Sequence, residues 1–216
     1  MNKPITECID YTNLKADAGR AVIEKLCREA VEHNCASVCV NPCHVVLAKT
    51  ILNGSRVGVC TVVGFPLGAT TTEAKAFEAT QAIGNGATEI DMVANIGAIK
   101  DASFDYVCDD IKGVHDVCKK HGALLKVIIE TCLLTDIEKK TVAKIICDLG
   151  VDFVKTSTGF SSGGATMDDI KLLKSVVGNR ARIKASGGIK DYQTAKQMLD
   201  AGADRLGTST LIKDPE

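Results

Sequence analysis

A chain of 216 residues is long enough for one well-buried core and too short for two ordinary enzyme domains. Aromatics make up 4%, with no Trp, against 45% hydrophobic residues, so the core must be built from Ala, Val, Ile, Leu and Cys, the usual filling of parallel strands covered on both faces. A net charge of -1 gives no field that would draw nucleic acid or an anionic membrane surface, which argues against both as partners.

The polar start Met1-Asn2-Lys3-Pro4 lacks the apolar segment of a signal peptide, and no later run approaches the roughly 18 apolar residues of a membrane span. A cytoplasmic protein is expected. Short β-rich runs then alternate with helical periodicity. The expected strands are Cys8-Tyr11, Ser37-Asn41, Val57-Val63, Glu89-Ala94, Leu124-Glu130, Phe153-Ser157, Arg182-Gly187 and Arg205-Ser209. The clearest helix runs Phe104, Val107, Cys108, Ile111, Val114, Cys118. Thr135 with Glu138 reads as a capping box, and Asp191 is placed to cap the next helix. Gly86-Ala87-Thr88, Gly150-Val151-Asp152 and Gly202-Ala203-Asp204 repeat one helix-to-strand joint, and Asn34 takes the glycine role in a fourth copy. Eight strands with intervening helices count out a single (β/α)8 TIM barrel over 1–216, an α/β fold whose last helix is the weak point because few residues follow Ser209.

The ten cysteines are scattered along apolar runs without a Cys-x-x-Cys pair, so most read as small buried hydrophobes in a reducing compartment. Cys35, Cys39, Cys43 and His44 come nearest to a metal pattern, but Pro42 interrupts it, and no metal is expected. The four histidines (His33, His44, His115, His121) fall in helices or near their ends and read as solvated. Arg182 and Arg205 begin strands, at the far end of the barrel from any catalytic loop, and read as structural surface charges.

Charges inside apolar strands are the informative anomaly. Lys126, Lys155 and Lys184 recur at intervals of 29, one per βα unit, at the same phase of successive strands, and Asp91 holds a comparable place in Glu-Ile-Asp-Met-Val. Neighbouring strands lie about 4.8 Å apart, so such lysines crowd together. Burying them without partners costs several kcal/mol, which a structural role does not explain. Outward-facing lysines that snorkel to solvent are the bland alternative, weakened by the shared phase of all three. A lysine with an ordinary pKa near 10.4 is neutral in only about one molecule in two thousand at pH 7, and only the amine attacks a carbonyl. A neighbouring ammonium and partial burial shift that balance, so the cluster suits Schiff-base chemistry with a carboxylate to move protons. Spacing does not say which lysine attacks. After the last three strands come Thr158-Gly159-Phe160-Ser161-Ser162-Gly163-Gly164, Gly187-Gly188 and Gly207-Thr208-Ser209. Barrels frequently hold phosphate on such loops, so a phosphorylated substrate is expected. The loop after the third strand, Gly64-Phe65-Pro66-Leu67-Gly68, reads as shaping the rim.

These residues resemble the deoxyribose-phosphate aldolase family over nearly the whole chain. The likeness is carried by Ile9-Asp10-Tyr11-Thr12, Val38-Cys39-Val40-Asn41-Pro42, Val63-Gly64-Phe65-Pro66-Leu67-Gly68, Glu89-Ile90-Asp91-Met92-Val93, Lys126-Val127-Ile128-Ile129-Glu130-Thr131, Val154-Lys155-Thr156-Ser157-Thr158-Gly159-Phe160 and Lys184-Ala185-Ser186-Gly187-Gly188-Ile189. The resemblance implies a metal-free, cofactor-free cleavage of 2-deoxy-D-ribose 5-phosphate to acetaldehyde and D-glyceraldehyde 3-phosphate, in deoxyribonucleotide catabolism. It implies Lys155 as the Schiff-base lysine, Lys184 as the lysine that lowers its pKa and Asp91 as the proton relay. Asp10, Cys39 and Lys126 are then pocket residues, and Thr158, Gly159, Gly187, Gly188, Gly207 and Ser209 surround substrate and its phosphate. A homodimer or other homo-oligomer is expected. Where some members carry a lysine after Thr-Gly this chain has Phe160, and its tail after Ser209 is short, which bears on rate more than on reaction type. The nearest alternative is a Schiff-base aldolase or transaldolase for another small sugar phosphate; one of a different class is a barrel that binds phosphosugars without catalysis.

Overall fold

The computed structural model describes residues 4–214. Its eight strands are β1 Ile9–Asn13, β2 Ser37–Val40, β3 Gly58–Val63, β4 Glu89–Val93, β5 Leu124–Ile128, β6 Phe153–Lys155, β7 Arg182–Ser186 and β8 Arg205–Thr208. All pair in parallel in sequence order, and β1 pairs with β8 to close the barrel, so no edge is left exposed. Seven crossovers carry the helices α1 Arg20–Glu32, α2 Val45–Ile51, α3 Thr72–Gly84, α4 Ile96–Lys100, α5 Phe104–His121, α6 Asp136–Asp148, α7 Met167–Val177 and α8 Tyr192–Asp200, with α4 and α5 sharing the passage from β4 to β5. Residues 209–214 form no helix, so among the described residues nothing stands where an eighth crossover helix would.

Local chemistry explains the joints. The Thr135 and Glu138 capping box opens α6, and the Asp191 carboxylate accepts the Thr194 N–H at 2.8 Å to open α8. Gly86, Gly150, Gly202 and Asn34 all take positive φ, which turns each chain from helix into strand within two or three residues. The strands β5 and β6 stop sooner than expected, at Ile128 and Lys155; after β5, Glu130 enters the left-handed region at φ 51° and turns the chain out of the strand.

Alternation along the strands makes two cores. Ile90, Met92, Leu125, Val127, Val154, Ile183 and Leu206 face outward and pack with Val107, Ile111, Val114 and Cys118 of α5 and their equivalents. Cys27, Cys35, Cys118 and Cys147 are buried in this layer, whereas Cys43 and Cys132 are exposed. Many inward positions are charged, including Asp10, Glu89, Asp91, Lys126, Lys155 and Lys184, unlike the branched aliphatic filling usual for such barrels. Among them is Arg205, which corrects its reading as a surface charge: its side chain is only 12% exposed and turns into the barrel to Asp10 and Glu89. Arg182 remains half exposed, with its guanidinium 4.0 Å over the Phe153 ring that plugs the same end. His44 Nε2 donates to the Ala18 carbonyl at 3.0 Å, so it is not simply solvated.

Candidate active site

The three strand lysines point inward, and all are buried. They do not sit level. Lys155 is the ladder partner of Lys184, whereas Lys126 pairs with Asp91 on one side and Phe153 on the other, two residues nearer the closed end. Asp91 reconciles the offset. Its Oδ2 accepts from Lys155 Nζ and from Lys184 Nζ, each at 2.7 Å, and its Oδ1 accepts from Lys126 Nζ at 2.9 Å and from the Cys60 thiol at 3.2 Å. Beneath, Asp10 binds Lys184 at 2.5 Å and Ser37 at 2.7 Å, while Glu89 binds Lys126 at 2.5 Å.

Charge decides the protonation of this set. Burial by itself would raise the Asp91 carboxyl, but the ammoniums of Lys126, Lys155 and Lys184 outweigh it and hold Asp91 well below the carboxylate range. Asp10 is lowered against the same penalty by Lys184, Lys126 and Arg205. Lys184 is pushed down by burial and lifted above its ordinary value by Asp10 and Asp91; Lys126 is likewise raised. Two carboxylates thus favour the ammonium form of Lys184.

Lys155 alone of the three lines open space, a cavity of about 560 Å³ at the C-terminal mouth of the strands. Thr158, Gly159, Gly187, Gly188, Gly207 and Ser209 form its walls. Asp10, Cys39, Asp91, Lys126 and Lys184 do not line it; the four charged residues are joined by ion pairs, and the Cys39 thiol lies within 4.8 Å of Cys60 and Asp91. Two glycines are required here. Gly187 has φ 84°, and a Cβ on it would stand 2.9 Å from Gly164 Cα; a Cβ on Gly207 would stand 3.0 Å from Lys184 Cε, in the path of that side chain.

The structure adds residues that sequence reasoning passed over. Lys15, Lys25 and Lys190 also line the cavity, so cations are available although Phe160 stands where some relatives carry lysine. Phe160 is 58% exposed and packs edge-on against Phe65, with ring centroids 5.2 Å apart, at the rim the third-strand loop was expected to shape. Buried Glu130 accepts from the Thr158 hydroxyl at 2.5 Å and backbone N–H at 3.2 Å, and Thr158 Oγ in turn accepts the Phe160 N–H at 3.0 Å. Lys190, directly after the Gly-Gly-Ile that follows β7, was the most legible of these.

Cys39, Cys60 and Asp91 bring donor atoms within 4.8 Å of one another, as do Asp10, Cys60 and Glu89; Cys35, Cys43 and His44 join neither set among the described residues. Both Asp91 oxygens already take ammonium donors, and burial with Asp91 nearby pushes the Cys60 thiol well up, away from the thiolate a soft metal needs. The donor set fits an ammonium cluster rather than a metal.

A closed barrel with a cavity at the C-terminal mouth of its strands, walled by three glycine-rich loops over a buried charge cluster, is the architecture of a barrel enzyme. Comparison with known proteins makes it specific: the chain belongs to the DeoC/LacD family aldolases, whose family profile matches residues 8–212. A deoxyribose-phosphate aldolase from Finegoldia magna is 55% identical over 209 residues, 97% of each chain. Among solved structures, QR15, an aldolase, superposes with a TM-score of 0.91 at 40% identity, covering 96% of this chain and 92% of its own. Deoxyribose phosphate aldolase from Aeropyrum pernix, described as a tetramer, gives 0.89 at 31% identity, covering 96% and 87%.

Proposed function

We propose that the protein reversibly cleaves 2-deoxy-D-ribose 5-phosphate to acetaldehyde and D-glyceraldehyde 3-phosphate through a Schiff base on Lys155. The observation that carries this is the arrangement around Asp91: one lysine reaches the cavity while two others stay charged beneath it. The uncharged Lys155 amine adds to the C1 aldehyde of the open-chain sugar, and loss of water leaves an iminium. A base takes the C3 hydroxyl proton, the C2–C3 bond breaks, and its electron pair moves into the iminium to give an enamine. Glyceraldehyde 3-phosphate departs, C2 gains a proton, and water releases acetaldehyde and the free amine. Asp91, bonded to both Lys155 and Lys184, is suited to pass protons to and from this centre. Thr158, Gly159, Gly188 and Ser209, with Lys190 beside them, form the phosphate end.

The reading extends to deoxyribose phosphate catabolism in the cytoplasm by a homo-oligomer, the latter supported by the tetrameric Aeropyrum pernix relative. Acetaldehyde with borohydride tests the chemistry. A reduced two-carbon adduct is expected, and peptide mapping should place it on Lys155. No adduct in an active preparation would remove the Schiff base.

A further inference from the structure

The barrel interior joins Asp10, Glu89 and Asp91 to Lys126, Lys155, Lys184 and Arg205 through ion pairs of 2.5 to 3.5 Å. Three acids thus face four bases in a water-poor interior, where net charge is costly. Claims on the acids are unequal. Lys126 meets Asp10, Glu89 and Asp91; Lys184 meets Asp10 and Asp91; Arg205 meets Asp10 and Glu89. Lys155 meets only Asp91 among these acids, and shares it with two other ammoniums.

Lys155 faces Asp91 from β4, which also holds Lys126 of β5 and Lys184 of β7, with the Cys39 thiol of β2 nearby and the Cys60 thiol of β3 on the other Asp91 oxygen. Beyond β5, Glu130 is committed to Thr158. Among the described residues no carboxylate other than Asp91 forms an ion pair with Lys155. Arg205 does not touch Lys155, yet it occupies the acids at the closed end that would otherwise compensate the lysines. Its guanidinium does not lose its proton in proteins.

We propose that Arg205 is a positioning residue for the Schiff-base step: by engaging Asp10 and Glu89 it leaves the cluster one carboxylate short, so the buried charges balance when Lys155 is an uncharged amine. This rests on the Schiff-base reading above. Arg205 and Glu89 are largely shielded, with side chains 12% and 7% exposed, so their charges are poorly screened by solvent. Removing the guanidinium favours the Lys155 ammonium. Removing the Glu89 charge favours the amine.

The test is the acid limb of the kcat/KM profile, which reports the free enzyme. Arg205→Met should move that limb to higher pH by about one unit, lowering kcat/KM near pH 7 by about tenfold and approaching the wild type in alkali. Glu89→Gln should move it the opposite way, and Arg205→Lys, which keeps a cation, should leave it in place. A purely structural role would lower rate or stability without opposed shifts. If Arg205→Met does not fold, the contrast between Glu89→Gln and Arg205→Lys decides. A limb that stays put or moves upward in Glu89→Gln would overturn the proposal. Acetaldehyde trapping on Lys155 of the wild type is run alongside, and its failure would instead remove the Schiff-base reading.

Discussion

Two buried lysine sites lie on either side of β4. Inside the barrel, Asp91 serves Lys126, Lys155 and Lys184 at once. Outside it, Lys75 of α3 is fully buried against Asp110 of α5 at 2.6 Å and donates to the Val93 carbonyl at 3.0 Å, while Thr72 donates to the other Asp110 oxygen at 3.0 Å. The outer site pairs one base with one acid, both fully buried. Its stem supports the turn after β3, where a Cβ on Gly64 would lie 2.9 Å from Lys75 Cε. Burial is thus shared by a lysine with one dedicated acid and a lysine proposed to react. What separates them is a surplus of cations and access to open space, so a buried lysine is informative only once its partners are known.

The sharpest break in that comparison is Lys155→Ala, which should abolish both turnover and acetaldehyde trapping, since neither of the other lysines held by Asp91 reaches the cavity. An adduct surviving on Lys126 or Lys184 would mean the roles are wrongly assigned. Lys184→Leu removes a fixed cation but keeps the attacking amine. Asp91 is then freer to stabilise a Lys155 ammonium, so activity near pH 7 should fall about a hundredfold or more. Because the amine forms as protons leave, rate and trapping should recover partly as pH rises in Lys184→Leu, and not at all in Lys155→Ala.

At the cavity's other end, 2-deoxyribose without phosphate should be cleaved far more poorly than its 5-phosphate, and Ser209→Asp should erase most of that preference through like charge. Equal kcat/KM for both sugars in the wild type would remove the phosphate site. At the outer pair the effect should be on stability instead. Lys75→Met leaves Asp110 buried and uncompensated, costing roughly 3–5 kcal/mol in denaturant unfolding. The double change Lys75→Met with Asp110→Leu should regain most of this, and the kcat/KM limb should stay where the wild type has it. The smallest effect expected is from EDTA: the Asp91 oxygens are taken by ammoniums, so activity should persist, and loss restored by zinc would point to a metal aldolase.

Local rules made much of this molecule legible. β-branched runs, the Thr135 capping box and the repeated Gly86, Gly150 and Gly202 joints depend on neighbours within a few residues, so strands and their order could be read directly. The inward phase of Lys126, Lys155 and Lys184 was also legible, because alternation fixes which face a strand residue takes. Their relative height was not. The β5–β6 ladder pairs Lys126 with residue 153, while β6–β7 pairs 155 with 184, and register is a property of two strands.

Long-range pairing decided the rest. Arg205 at the start of β8 resembles any solvated strand-end charge until β1 closes against β8 and brings in Asp10, 195 residues away. Lys75 with Asp110, and Glu130 with Thr158, likewise depend on partners 35 and 28 residues distant that no local pattern marks. A side chain's type and phase are carried by the chain itself. Whether its charge is matched, shared or left in surplus depends on every strand the closed barrel brings to it, and so was settled only by the tertiary structure.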